Sequence, residues 1–476
     1  MSDSPQTSRN STEVPIIRSD NVQGDSLAGF KKPFQLFLFL KINDVALCRK
    51  ALRLIVDDVS TLNQVWLFNY SYRESKVRGK RVPSLKATWI NLSLSWKGLT
   101  KLWPNAPELG GTAFIEGMRK RASRLGDVID FNVNRWKFGA DESSEPDMVL
   151  MIAADDLTDL FLKRDHYREV LGGFSEIWQE LGARSSTNGR ETFGFRDGIS
   201  QPRIRAKLNL QGLPLIDLPE STEHDNSTFA NLSEFLIGYE QSETSKSVFP
   251  GYNDCSFIVF RRYVLLEEEF RRFIANTFNR VASQYDVAPV FDEAYIASRF
   301  VGRWTNGTFV GGNIEGRYLD DVETSRLDIE RFERLGTLEC PHFSHILKAN
   351  PRGILPVGEQ RHILRRGIGF KTNERSQDGV GLMFVCYQSS IDKQFEFILR
   401  NWLSNPNFPT LGSGYDPIAG QNAIGLSRTR CITLQIPLRQ GGFASYYTEL
   451  PQDFVCLTGG CYAMVPSIEL IAILSQ

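Results

Sequence analysis

The order in which predicted strands and helices follow one another constrains the fold most, because the same order occurs twice. In the first half, residues 34–42 (FQLFLFLKI) indicate a buried strand and residues 44–55 a helix. Residues 89–96 alternate apolar and polar side chains at the period of a strand. Residues 148–153 predict a further strand, which leads into a long helical stretch near 156–182. The first half therefore reads strand, helix, strand, strand, helix.

The second half repeats this order. Residues 256–263 indicate a strand, and the helix after it carries four apolar side chains on one face, namely Phe270, Phe273, Ile274 and Phe278. Residues 380–387 predict a strand, residues 391–404 a helix and residues 430–436 a further strand. Because a sheet must bury one face against another layer, the pattern predicts two α+β units, each with its sheet covered on one face by helices.

The composition is that of a globular protein without a strong charge. Of 476 residues, 41% are hydrophobic and 23% are charged, and the length favours two packed domains over one. The 55 Lys and Arg residues against 56 Asp and Glu residues give a formal net charge of −1, so no overall field attracts nucleic acid or an anionic membrane. No stretch is long and apolar enough to span a bilayer. We therefore expect neither nucleic acid nor a membrane as a partner.

Polar segments divide the chain. Residues 1–20 lack the apolar core of a secretory signal, so we expect a disordered tail and a cytoplasmic protein, although unconventional export is compatible with the same sequence. The stretch 213–247 is rich in Ser, Asn, Thr and Glu, which predicts a connection between an N-terminal domain at 21–215 and a C-terminal domain at 245–476.

Seven scattered cysteines, an odd number, argue against a disulfide framework and fit a reducing compartment.

One segment, Phe193 to Pro202 (FGFRDGISQP), sets a carboxylate between two glycines. Gly194 and Gly198 allow the backbone to turn sharply and leave room beside Asp197, so that this side chain can reach into a pocket. Asp-Gly is also common in ordinary turns, and the short Gly-x-x-Asp-Gly pattern alone fits either interpretation. The longer string is far more specific.

The histidines narrow the search for a metal ligand. Only five occur, and three of them lie within the span 342–362. His342 and His345 belong to the string CPHFSHILKANPR at residues 340–352, in which Pro341 indicates the start of a short helix. The two histidines are three residues apart and share roughly one helix face, so either can present its imidazole to a metal.

Further motifs occur along the chain in addition to the FGFRDGISQP and CPHFSHILKANPR strings. They are NVQGD at 21–25, GFKKPF at 29–34, VGRW at 301–304, RRGI at 365–368, FVCYQSSI at 384–391 and QFEF at 394–397. Together the motifs resemble the dye-decolorizing haem peroxidases, and the last two resemble the fungal branch of that family. The resemblance implies an α+β fold of duplicated ferredoxin-like domains, each an antiparallel sheet with helices on one face, and haem b (iron protoporphyrin IX) held in the second half. It also implies an enzyme that reduces hydrogen peroxide and oxidises aromatic substrates such as phenols or anthraquinone dyes.

The resemblance implies that His345 is the axial ligand of the haem iron, with His342 as the competing candidate. An axial histidine normally donates its other ring N–H to a carboxylate, which fixes its tautomer and strengthens it as an electron donor. Asp416 and Glu396 are the candidates for that carboxylate. We favour Asp416, because a Glu on an amphipathic helix usually faces solvent.

On the opposite side of the haem, the resemblance implies that Asp197 is the general acid and base for peroxide, beside an arginine that stabilises the departing oxygen. An Asp in this role predicts an acid-shifted optimum. Arg365 and Arg366 are adjacent and point to opposite faces of a strand, so only one can serve, and we favour Arg365. Arg366, Arg352 and Arg303 are candidates for binding the haem propionates, with a surface salt bridge as the alternative.

Aromatic side chains could carry electrons from the haem to bulky substrates. The candidates are Trp402, Trp304, Tyr387 and Tyr415, and packing in the core is the alternative for each. The chain departs from the family pattern at residues 369–371, at residues 457–464 and at Arg196, which predicts altered substrate access. Oxidative tailoring of one metabolite and haem binding with little turnover are the alternative functions. The sequence specifies neither the physiological reductant nor the oligomeric state.

Overall fold

The computed structural model describes most of the chain. The described residues are 14–77, 85–127, 136–184, 189–196, 198–199, 201–210, 215–218, 229–239, 250–310, 317–318, 340–351, 354–355, 359, 361–371, 379–420, 430–451 and 453–476. Within these ranges, none of the helices has both the length and the apolar character needed to cross a membrane.

The strands and helices are numbered here in chain order. The strands are β1 (Ile16–Ile17), β2 (Phe34–Ile42), β3 (Trp89–Leu94), β4 (Met148–Ala154), β5 (Phe174–Ala183), β6 (Arg203–Leu208), β7 (Ile216–Leu218), β8 (Phe229–Asn231), β9 (Ser256–Leu265), β10 (Leu364–Arg365), β11 (Ile368–Lys371), β12 (Val380–Gln388), β13 (Arg430–Pro437), β14 (Phe443–Leu450) and β15 (Val455–Val465). The α-helices are α1 (Val45–Ile55), α2 (Leu62–Val77), α3 (Trp96–Leu102), α4 (Gly111–Leu125), α5 (Leu157–Val170), α6 (Glu267–Gln284), α7 (Glu293–Val301), α8 (His345–Ala349) and α9 (Ile468–Leu474), and two π-helical segments span Ile391–Phe395 and Ile398–Leu403.

The first unit consists of β2, α1, β3, β4, α5 and β5. Its four strands lie in the order β5-β2-β4-β3 and all pair antiparallel. The prediction of a helix through 156–182 was wrong in its second part, because α5 ends at Val170 and β5 follows. Gly173 has φ +83°, a conformation that ends a helix and that other residues rarely adopt, and it separates the two elements.

The second unit has the same strand order. It consists of β9, α6, β10 and β11, β12, the π-helical segments and β15, with the strands in the order β15-β9-β12-β11. The strand predicted at 430–436 exists as β13, but it forms a separate hairpin with β14. The fourth strand of the unit is β15, which was not predicted because Gly459 and Gly460 interrupt its strand pattern. A register shift between Leu457 and Gly460 marks a bulge there.

The two units share one closed barrel. β11 of the second unit pairs with β5 of the first at Phe370 and Gly182, and β15 pairs with β3 at Met464 and Leu94. Because β12 also pairs with β9, the sheet returns to its starting strand and leaves no open edge in the ring. The predicted class, duplicated ferredoxin-like α+β domains, is confirmed. The closure of their sheets into a barrel was not predicted.

Each strand of the barrel separates two hydrophobic cores. One face packs beneath the helices, and the other lines the barrel with side chains that include Phe37, Phe260 and Val385. Phe39 stacks on Phe138 inside the barrel, with their ring centroids 3.9 Å apart. This alternation of inward and outward apolar residues is what the period-2 pattern of a two-sided buried strand requires.

A third core lies outside the barrel, among α6, α7 and the β13–β14 hairpin. It includes Phe195, Trp304, Phe343 and Ile432. It is formed by α6, by segments inserted into the second unit before β10 and before β15, and by Phe195, which precedes that unit in sequence. This third core supports the candidate site.

The N-terminal tail is more ordered than predicted. Of the residues 1–20 expected to be disordered, residues 14–20 are described, and β1 pairs with β6 in parallel. Ile17 is fully buried, which gives this segment an apolar anchor. Residues 1–13 lie outside the described residues.

Candidate active site

His345 begins helix α8 and is held from behind by a buried carboxylate. Its Nδ1 lies 2.7 Å from Oδ2 of Asp416, whose side chain is fully buried, whereas 29% of the His345 side chain is exposed. Because the carboxylate takes Nδ1–H, Nε2 is the ring nitrogen that can bind a metal. The structure therefore brings together the predicted axial ligand and the predicted carboxylate partner.

The surroundings of Asp416 favour its charged form. Burial raises the pKa of this carboxyl, but the adjacent His345 imidazole and the hydrogen bonds outweigh burial and hold the pKa below its usual value. Two of those bonds come to Oδ1 from the backbone N–H groups of Ile418, at 2.8 Å, and Ala419, at 3.0 Å. An ionised Asp416 fixes the Nδ1–H tautomer of His345.

The competing residues lie in different surroundings. The Nδ1 atom of His342 is 2.9 Å from Oγ1 of Thr410, in an exposed contact that involves no carboxylate. Glu396 is buried, and Arg121 and Tyr462 donate to its carboxylate. The expectation that Glu396 faces solvent was wrong, because Arg121 reaches it across the interface between α4 and the π-helical segments.

The glycine loop, defined as residues 193–199, has the backbone that its sequence predicts. Gly194 has φ +87° and Gly198 has φ +76°. A Cβ added at either glycine would meet no described atom within 4 Å, so it is the left-handed backbone that requires glycine here. Asp197 lies outside the described residues, between these two turns.

The start of the glycine loop is tied to the fold. The N–H of Arg196 donates to the Thr305 carbonyl at 3.2 Å. Before it, the carboxylate of Glu191 accepts from the N–H groups of Phe193, at 3.1 Å, and Phe195, at 3.3 Å. The Phe195 side chain is 5% exposed and belongs to the third core. Buried apolar contact and backbone hydrogen bonds thus hold residues 193–196 in one place.

Arg365 and Arg366 differ in what holds them. The Arg366 guanidinium donates to the carbonyls of Asp25, at 3.1 Å, of Leu27, at 2.7 Å, and of Arg365, at 3.1 Å. These contacts direct the Arg366 guanidinium to the segment before β2, and its role as a propionate ligand stays a prediction. The backbone of Arg365 is instead bonded by the side chain of Gln201.

The two remaining arginine candidates differ in how far they are described. Arg303 is buried, and its Nη1 donates to the Gly307 carbonyl at 2.8 Å. The alternative of a surface salt bridge does not apply to a side chain that is 6% exposed. Its role as a propionate ligand stays a prediction, and Arg352 lies outside the described residues.

None of the predicted aromatic relays is exposed. Tyr387, Trp304, Trp402 and Tyr415 are between 0% and 7% exposed, so each is a core residue and none offers a surface at which a bulky substrate could be oxidised. The Tyr387 hydroxyl donates to Asp25 at 2.7 Å, a buried contact that the sequence did not indicate.

The departures from the family pattern have structural consequences. Thr458, at the bulge of β15, accepts from Nη1 of Arg262 at 2.7 Å, and Nε of Arg262 donates to Glu180 at 2.6 Å. Residues 369–371 belong to β11, which pairs with β5 at one of the two seams, the places where strands of the two units pair. Both departures therefore lie in the barrel wall.

The sequence did not point to Gln201 as a functional residue, although it stands within the FGFRDGISQP string.

The donor set fits a haem better than a bare metal ion. Among the described residues, no group of three or more His, Cys, Asp and Glu side chains could hold a metal ion. One histidine backed by a buried carboxylate supplies a single axial ligand, which is sufficient when a porphyrin supplies the other donors.

Two family profiles match the sequence. The profile described as "DyP dimeric alpha+beta barrel domain" matches residues 21–177, and that described as "Dyp-type peroxidase, C-terminal" matches residues 316–409. Among relatives, the chain is 28% identical to Peroxidase 2 of Mycetinis scorodonius, over 98% of this chain and 89% of that protein. It is 27% identical to the dye-decolorizing peroxidase of Mycena epipterygia, over 95% and 86%.

Solved structures are similar over almost the whole chain. An ancestral D-type dye-decolorizing peroxidase superimposes with a TM-score of 0.77 at 28% identity, covering 96% of this chain and 98% of that one. A variant of the dye-decolorizing peroxidase from Pleurotus ostreatus superimposes with a TM-score of 0.76 at 25% identity, covering 97% and 99%. The similarity therefore spans both units.

Proposed function

The chain belongs to the dye-decolorizing peroxidase family, and we propose that it is a haem b-dependent peroxidase that reduces hydrogen peroxide and oxidises small aromatic compounds such as phenols or anthraquinone dyes. The contact between His345 and the buried, ionised Asp416 carries this proposal, because it prepares one imidazole as an axial ligand. When bound, haem supplies the iron that takes two oxidising equivalents from peroxide and passes them to the reductant.

The chain's own residues would divide the work between the two sides of the haem. His345 would hold the iron through Nε2, and Asp416 would keep the proton on Nδ1 and strengthen the imidazole as a donor. Arg303, Arg352 and Arg366 are the candidates that would bind the propionates.

On the other side, Asp197 takes a proton from one oxygen of peroxide and returns it to the departing oxygen, which then leaves as water. The Arg365 guanidinium, which is always charged, stabilises the negative charge that develops on that oxygen. A carboxylate has a lower pKa than imidazole, so the proton transfer works best under acidic conditions.

The test is the visible spectrum of protein supplied with haem, before and after one equivalent of hydrogen peroxide. We expect wild type to show a Soret band that shifts with peroxide, and His345→Ala to lose it. His342→Ala is the matched control, and it should keep both the band and its shift.

The other outcomes decide between the alternatives. A band that peroxide leaves unchanged would indicate haem binding with little turnover. No band in wild type would contradict the proposal altogether. If the band shifts but dyes and phenols are not oxidised, the tailoring of one specific metabolite becomes the better interpretation.

A further inference from the structure

Gln201 holds the backbone of Arg365 through both ends of its side-chain amide. Oε1 accepts from the Arg365 N–H at 3.2 Å, and Nε2 donates to the Arg365 carbonyl at 3.0 Å. That carbonyl also accepts from Nη1 of Arg366 at 3.1 Å. Both main-chain groups of Arg365 are therefore satisfied by side chains.

Among the described residues, β10 pairs with β12 alone, and Gln201 lies on its other side. β10 pairs with β12 on one side, where Leu364 lies opposite Tyr387 and Arg365 opposite Cys386, and the next backbone bond runs from the Arg366 N–H to the Val385 carbonyl at 2.7 Å. In an antiparallel strand alternate residues face opposite neighbours, so the main chain of Arg365 faces away from β12. Gln201 fills that position and fixes where the Arg365 backbone stands.

The segment around Gln201 is itself fixed at both ends. On the side before it, Arg196 is bonded to Thr305, and Phe195 is buried in the third core. On the side after it, β6 places Ile204 and Ala206 in the core that lines the barrel. Gln201, two residues after the glycine loop in sequence, thus bonds directly to Arg365.

We propose that Gln201 is a positioning residue that fixes the backbone of Arg365, so that the Arg365 guanidinium is held where it can act on peroxide. The proposal rests on the proposed peroxidase function. A small misplacement of catalytic groups is costly, because an error of about 1 Å can reduce a rate about a hundredfold.

The chain contains a matched control in its first half. Gln23 makes the same pair of bonds to Leu92 of β3, with Oε1 accepting from the Leu92 N–H at 2.9 Å and Nε2 donating to the Leu92 carbonyl at 2.9 Å. Its Nε2 also donates to Pro466 at 2.8 Å. We call such a pair of bonds, from one glutamine side chain to the backbone N–H and carbonyl of one residue, a glutamine clamp. Leu92 is a fully buried apolar residue, so the Gln23 clamp serves to stabilise the fold alone.

The experiment compares Gln201→Met with Gln23→Met, which remove equivalent hydrogen bonds with side chains of similar length. For each haem-loaded protein, we measure the stopped-flow rate constant for reaction with peroxide and the dissociation constant for cyanide. For each haem-free protein, we measure hydrogen exchange of residues 361–371. We expect Gln201→Met to exchange faster in that segment, to react with peroxide about tenfold or more slowly, and to bind cyanide more weakly. The KM for the dye should stay within about twofold, because the reductant does not depend on this clamp.

Gln23→Met should lower the thermal midpoint and leave the peroxide rate constant within about twofold of wild type. Gln201→Glu is the second variant if Gln201→Met does not fold. It keeps the acceptor for the Arg365 N–H but presents a second acceptor to the Arg365 carbonyl, so the peroxide step should again be slow. Faster exchange in 361–371 with unchanged peroxide rate and cyanide affinity would overturn the proposal. A wild type that does not react with peroxide would instead contradict the proposed function.

Discussion

The two α+β units share a strand order but differ in what their connections carry. In the first unit, the segment between β3 and β4 contains α3 and α4, which pack on the barrel. In the second unit, the segments before β10 and before β15 contain His345 and Asp416. The duplicated strands therefore form the scaffold, and insertions into one copy build the site, which is why a shared fold does not imply a shared function.

The two glutamine clamps make the same comparison at a single residue. Gln23 precedes the first unit and bonds to Leu92 on its second strand. Gln201 precedes the second unit and bonds to Arg365 on the corresponding strand. The Gln23 clamp bonds to a buried leucine and the Gln201 clamp to a partly exposed arginine. The same pair of hydrogen bonds therefore stabilises the fold in one half and, in our proposal, positions a catalytic residue in the other.

The largest effect should come from Asp197, which precedes the second unit in sequence. We expect Asp197→Asn to retain haem but to slow the reaction with peroxide by about two to four orders of magnitude, because the amide cannot accept the proton. Stopped-flow mixing with peroxide measures this rate constant. Asp25→Asn changes an aspartate of the first half and serves as the control; an equal loss in both variants would argue against a special role for Asp197.

The next effect separates the two adjacent arginines. Arg365→Leu should lower the peroxide rate constant about a hundredfold to a thousandfold, because the developing negative charge loses its cation. Arg366→Leu should leave that rate nearly unchanged and reduce the free energy of unfolding, since three carbonyls lose a donor. Stopped-flow rates and denaturant titrations of both variants measure the two effects, and a reversed pattern would exchange the roles.

The buried carboxylates allow a third comparison. Asp416→Asn should weaken haem binding or activity about tenfold to a hundredfold, because His345 loses a charged partner. Glu396→Gln, which removes the charge facing Arg121, should destabilise the fold without changing haem affinity. Titration of each haem-free variant with haem gives the affinities. Equal haem affinities in the two variants would mean that Asp416 does not act through His345.

The smallest expected effect is on the pH dependence of the free energy of unfolding, and it compares two buried lysines. Lys32 in the first half contacts Asp155 at 2.6 Å, whereas Lys348 in the second donates to the carbonyls of Trp402 and Asn405. Burial lowers the pKa of Lys348 from its usual value to about 8. Between about pH 8 and 10 the unfolded chain therefore holds a proton that the folded chain has released, and the free energy of unfolding should rise with pH, by on the order of 2 kcal/mol.

Denaturant titrations across this pH range, for wild type and Lys348→Met, measure that rise. The variant should lack it. Lys32→Met should change the slope less, because the carboxylate of Asp155 opposes the effect of burial on the Lys32 pKa. A rise that survives in Lys348→Met would assign it to other groups.

The sequence predicted the parts of the molecule that depend on local pattern. The period of the strands gave most of the barrel, and the two glycines around Asp197 predicted the sharp turns of the loop. What it missed depends on contacts between distant residues. Neither the pairing of Phe370 with Gly182 nor the burial of Glu396 against Arg121 leaves a local signal, and β15 was hidden because its two glycines weaken a strand pattern.

The seams of the barrel have a consequence for how the site is assembled during folding. β15, near the end of the chain, pairs with β3 of the first unit, and β11, which follows the Arg365 segment, pairs with β5. The barrel therefore cannot close until β15 has been synthesised, and both seams join strands that are far apart in sequence, which favours slow, late folding steps. His345 and Asp416 can meet within the second unit before then, so a newly made chain could gain its axial pair before the strand that carries Arg365 is fixed. Haem capture and the onset of peroxide chemistry would then be separate events in the life of the protein.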